Sequence, residues 1–61
     1  MKKLKDESFN GIKIKFTRQD KHIYAVAYGY GNMGSGRTKK IALWDAKNNI
    51  RYKQARGNLP R

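Results

Sequence analysis

The residues of this chain best placed to do chemistry lie together in Gly34-Ser35-Gly36-Arg37-Thr38-Lys39-Lys40. Glycine-rich backbone running into a helix N-terminus exposes amide donors at the positive end of the helix dipole, where an anion is stabilised. Arg37, Lys39 and Lys40 add cations beside those amides, so the segment is expected to clamp a phosphate; the plainer use of its glycines is a tight turn. Its spacing matches neither a Walker loop nor a full dinucleotide fingerprint. Two further groups of cations are candidates for phosphate contact. Lys13, Lys15 and Arg18 lie along an alternating segment, and Lys40, Lys47 and Arg51 would share one stripe of a helix.

Catalysis is not expected. An enzyme needs converging acids, bases or a nucleophile. Asp6, Glu7, Asp20 and Asp45 fall in different segments, and the single histidine, His22, has only Asp20 nearby, in what reads as a turn. The chain has no cysteine, which removes disulfides and thiolate metal sites, and one histidine cannot cage a metal alone. Neither cofactor nor metal is therefore expected.

Charge points to the class of partner. Fifteen Lys and Arg against four acids give a formal charge of +11, which repels itself in a compact domain unless a polyanion offsets it. The expected function is binding to double-stranded nucleic acid through its phosphates. No apolar stretch approaches the roughly 20 residues that span a bilayer, and no signal-peptide core follows Met1-Lys2-Lys3. The expected location is the cytoplasm, or the nucleoid if the polyanion is DNA.

The elements that must position these residues follow from periodicity. Residues 1–8 are lysine-rich and aperiodic and read as a flexible basic tail. From Gly11 the pattern alternates strictly, with Ile12, Ile14 and Phe16 on one side and Lys13, Lys15 and Thr17 on the other, the period of a half-buried strand. Gln19-Asp20-Lys21 supplies a turn, and Ile23 to Tyr30 reads as a second strand paired with the first. That strand has a bulky face of Tyr24, Val26, Tyr28 and Tyr30 and a small face of Ile23, Ala25, Ala27 and Gly29. The glycine-dense run from Gly31 to Gly36 leaves room for a very short third strand.

Beyond it two readings stay open. Thr38 caps a helix from Lys39 to about Ala55, stopped by Gly57 at C′ and Pro60 beyond; alternatively, Ile41–Trp44 and Ile50–Gln54 are two strands of an all-β, SH3-like barrel. The helix is preferred, because alternation fails around Trp44-Asp45-Ala46. On such a helix Ala42, Leu43, Ala46 and Ile50 form the core arc. Ile41, Trp44, Tyr52 and Ala55 form a second arc, which either completes the core or meets a partner protein or a second copy. The expectation is an α+β fold with a three-stranded antiparallel sheet on one C-terminal helix, its single domain spanning 9–57 and a short tail occupying 58–61.

Gly34-Ser-Gly36-Arg-Thr-Lys-Lys-Ile-Ala42, followed by Ala46, resembles the closing motif of double-stranded RNA-binding domains. That resemblance implies phosphate bridging by Lys39 and Lys40, although the family's first helix has no room before Phe9 and Thr38 stands where a serine is usual. The same stretch also resembles the amino-terminal arm-binding domain of phage-type tyrosine recombinases. The resemblance implies a three-stranded sheet plus one helix, preceded by a basic tail, with the sheet entering the DNA major groove. Lys13, Lys15 and Arg18 would then lie near DNA. Because no first helix is needed there, the second resemblance favours DNA over RNA. A third reading is a protein-interaction module or inhibitor acting through Trp44.

Overall fold

The computed structural model describes residues 4–59. Four strands, β1 (Glu7–Phe9), β2 (Ile12–Gln19), β3 (His22–Ala27) and β4 (Gly31–Gly36), precede one helix, α1 (Lys39–Ala55). The strands form an antiparallel meander in chain order, β1-β2-β3-β4. The α+β class and the C-terminal helix are as expected, the all-β alternative is not adopted, and the sheet has four strands where three were expected.

The extra strand comes from Asn10-Gly11. Phe9 pairs with Ile12, so these two residues make the whole connection, with φ of 52° and 81°. Two-residue hairpin turns of this kind need positive φ at both positions, which asparagine and glycine tolerate best. Glu7 and Ser8, read as part of the tail, are thereby folded against Ile14 and Lys13. The part of that tail formed by residues 1–3, and Pro60 and Arg61 at the other end, lie outside the described residues.

β2 and β3 pair from Ile14↔Ala27 to Gln19↔His22. The second strand ends at Ala27 instead of Tyr30, because Tyr28-Gly29-Tyr30 turns the chain, with Gly29 at φ 83° and Tyr30 N donating to Ala27 O at 3.0 Å. β4 is longer than expected. Its register passes from Val26↔Asn32 to Ala25↔Gly34, leaving Met33 as the extra residue of a bulge whose side chain enters the core.

Alternation sends Ile12, Ile14 and Phe16 of β2 and Ile23, Ala25 and Ala27 of β3 to the side covered by α1. From the helix come Ala42, Ala46 and Ile50. Ile14 and Ile50 are fully buried, each contributing about 2–3 kcal/mol of transfer free energy before any entropy cost. Small residues at the contact let α1 lie directly on β4. A Cβ built on Gly34 would stand 2.5 Å from Ala46 N and 2.8 Å from Ala42 O.

Both helix ends are capped. Thr38, in extended conformation, accepts a hydrogen bond from Ile41 N at 3.2 Å, an arrangement that contributes about 1 kcal/mol. At the other end Gly57 takes φ 79°, its N–H donates to Gln54 O, and Asn58 N–H donates to Lys53 O, the paired bonds of a Schellman motif. This reversal buries Leu59, so residues 58 and 59 complete the domain where a tail was expected. Side chains of α1 also serve the outer strand: Asp45 accepts from Ser35 N at 3.2 Å and Asn49 donates to Met33 O at 2.6 Å. Buried Gln54 and Asn10 exchange two hydrogen bonds of 3.1 Å, tying the end of the helix to the first turn.

Candidate functional site

One face of the sheet is taken by α1, and among the described residues nothing covers the other. On the open face β2 presents Lys13, Lys15 and Thr17, all exposed, and β3 presents the half-buried Tyr24 and Val26. Lys15 pairs with Val26 and Thr17 with Tyr24, while β4 adds Asn32 beside Val26 and Ser35 beside Tyr24. The same alternation that buries the isoleucines therefore gathers cations, hydroxyls and an amide on one pleated surface. None of these positions is a carboxylate. Lys13 Nζ lies 5.6 Å from the Tyr28 ring centroid, and the Tyr28 hydroxyl donates to Asp6 Oδ2 at 2.9 Å, which raises its pKa above the usual phenolic value. The rings of His22 and Tyr24 lie 5.8 Å apart at the far end of β3. Arg18 is exposed, but its pairing with buried Ile23 puts it on the opposite side of β2 from Lys15. The expected trio thus contributes two residues to the open face and one near the β2–β3 turn.

Three of the amides in the expected glycine-amide clamp are used within the fold. Gly34 and Gly36 lie in β4, where they allow α1 to approach. Gly34 N–H is given to Asn32 Oδ1 at 3.1 Å, Ser35 N–H to Asp45 and Ile41 N–H to Thr38. Thr38 is a cap. Of the flanking cations, Arg37 and Lys40 are exposed, but Lys39 folds back across the sheet. Its Nζ lies 2.9 Å from Glu7 Oε2 and 5.1 Å from the Phe16 ring centroid. Lys47 and Arg51, expected to share an outward stripe with Lys40, lean over the Phe9 ring at 5.7 and 5.9 Å. The cause in all three cases is β1, which brings Glu7 and Phe9 alongside the helix. The Asn10-Gly11 dipeptide is the signal that reveals β1 in the sequence.

The Lys39 hydrogen bond and charge hold the Glu7 carboxyl below its ordinary pKa of 4.5. A carboxylate whose pKa is lowered by folding contributes stability that is present above its unfolded value and lost as pH falls through the folded one. Thermal melts should therefore show Glu7→Gln destabilised relative to the parent chain at neutral pH. The gap should close on acidification below about pH 4.5; a gap that persists there means the ion pair contributes nothing. Because the pair is partly exposed, the neutral-pH effect is expected to be small.

The outer face of α1 differs in character. Ile41, Trp44 and Tyr52 are 50%, 67% and 60% exposed. The second apolar arc is thus solvent-facing and does not complete the core. No helix among the described residues is long and apolar enough to cross a membrane. Compared with protein-family models, curated proteins and solved structures, the chain matches none.

Proposed function

We propose that this chain is a non-enzymatic binder of duplex nucleic acid, DNA in preference to RNA, and that it applies the open face of its sheet to the duplex. The observation that carries the reading is the uncovered surface of Lys13, Lys15, Thr17, Asn32 and Ser35, without a carboxylate at any of its strand positions, on a chain of charge +11. Cations along a pleated strand can follow a phosphate backbone, and hydroxyl and amide groups between them can reach base edges.

A strand ribbon fits the DNA major groove, about 12 Å wide, whereas the major groove of A-form RNA is too narrow for side chains to read. The resemblance to recombinase arm-binding domains supports the same choice, since β2, β3, β4 and α1 supply a three-stranded sheet and helix, with β1 added at the edge. The double-stranded RNA-binding resemblance is less well supported: the described residues before β2 hold a strand and no helix. The helix side is a weaker interface, because Lys39, Lys47 and Arg51 are engaged with Glu7 and Phe9. DNA binding implies a place in the cytoplasm, at the nucleoid.

The test is a titration of the chain against matched duplex DNA, duplex RNA and single strands at about 150 mM salt. Duplex DNA should bind best. With about four to six phosphates engaged, log affinity should fall against log salt with a slope of about −4 to −5. A salt-independent interaction, or preference for single strands, overturns the proposal, and preference for duplex RNA overturns the choice of DNA.

A further inference from the structure

We infer that the outer face of α1 is a docking surface for an acidic amphipathic segment of a partner protein. Ile41, Trp44 and Tyr52 are the three most exposed large hydrophobic residues of the described chain, and they lie along one face of α1 with exposed Asn48 between Trp44 and Tyr52. Over a helix rising about 1.5 Å per residue they extend for about 16 Å, the length of three turns of an opposing helix. Single exposed hydrophobics are ordinary, but three along one helix face, a tryptophan and a tyrosine among them, have the composition of an interaction hot spot. Tyr52 is also held in place, since Arg56 donates to its hydroxyl at 2.7 Å and lies 5.4 Å from its ring centroid.

The surroundings select the occupant. Exposed Arg37 and Lys40 lie beside Ile41 at the start of the helix, and exposed Arg56 is bonded to Tyr52 at its end. The sole carboxylate of α1, Asp45, is turned to Ser35 N of β4. Exposed apolar anchors with cations at both ends of the row complement a segment that carries apolar anchors among glutamates or aspartates. This face disfavours a second copy of this chain: a two-fold contact would set these cations against their own kind, between molecules of charge +11. It also lies on the side of the molecule away from the open sheet face, so the inference does not depend on the proposed nucleic-acid contact, and both surfaces can be occupied together.

Trp44 is the only tryptophan, which makes its emission a direct reporter. The probe is a synthetic helical peptide of roughly four turns with leucines at i, i+3, i+4 and i+7 spacing and glutamates elsewhere. The expected result is a saturable blue shift of Trp44 emission. Anisotropy of the labelled peptide should show affinity reduced at least tenfold in Trp44→Ala and in Ile41→Ala/Tyr52→Ala, and unchanged in Lys13→Ala/Lys15→Ala. Peptides with the leucines replaced by serine, or the glutamates by lysine, should not bind. The inference is overturned by the absence of a blue shift, by equal binding of the serine peptide, or by sedimentation showing that the chain alone forms a dimer that shifts Trp44 emission. The emission measurement uses the unaltered chain, so it stands whatever the variants do.

Discussion

Replacing Gly34 with valine should leave the chain without a cooperative thermal transition. A Cβ at this position meets Ala46 N at 2.5 Å and Ala42 O at 2.8 Å. Both are backbone atoms of α1 and cannot rotate away as a side chain can. Relief requires lifting the helix from β4, which exposes Ala42, Ala46 and Ile50. Overpacking between side chains costs about 1–3 kcal/mol; a clash with helix backbone lies at or above the top of that range. A domain of this size has a total stability of only a few kcal/mol. The contrasting variant is Gly36→Ala, whose Cβ meets Ile41 Cγ2, Ile41 Cβ at 2.8 Å and Ala42 N at 3.0 Å. These contacts are confined to the first turn of α1, which can shift without lifting the rest of the helix from the sheet. It should keep a cooperative melt at a lower midpoint. Circular dichroism melts of the two decide the matter, and a Gly34→Val protein that melts like its parent would show that α1 does not pack on β4 this closely.

The second large effect concerns binding. Lys13→Ala/Lys15→Ala should lower affinity for duplex DNA roughly thirtyfold at about 150 mM salt and reduce the magnitude of the salt slope by about two, one per lost phosphate contact. Both side chains are exposed on the face of β2 away from the core, so the fold should survive and the loss can be read as binding. Lys39→Ala and Lys47→Ala should leave the slope unchanged, because those cations lie on the helix side over Glu7, Phe16 and Phe9. The reverse pattern would move the interface to α1 and sink the sheet-face proposal. Arg18→Ala separates a finer point: its position near the turn, off the plane of Lys15, predicts a smaller change than either lysine.

Much of the fold was legible locally. The alternation of Ile12, Ile14 and Phe16 with Lys13, Lys15 and Thr17 named the buried and open faces of β2, and Thr38 and Gly57 bracketed α1 at the residues where its caps form. Ala25 and Ala27 fell on the small face of β3, the face that α1 covers. The first strand was missed because Lys-rich composition was weighed above the Asn10-Gly11 turn, which needs only three residues before it to make a hairpin. Leu59 was missed because its burial depends on the chain reversing at Gly57 and returning to the core.

The sequence by itself determined the two faces of β2 and the charge that points to a polyanion, and it favoured the helix, with its ends, and hence the α+β class over an all-β barrel. All of these are set by residues a few positions apart or by composition alone. Only the tertiary structure decided which cations stay free. Lys39 is separated from Glu7 by 32 positions, and nothing near either residue signals that they meet. Their ion pair, like the stacking of Lys47 and Arg51 on Phe9, exists because a turn places β1 beside a helix that packing has laid across the sheet. A charged side chain is drawn to the nearest carboxylate or aromatic face that the fold supplies, and which one is nearest is a property of the assembled chain.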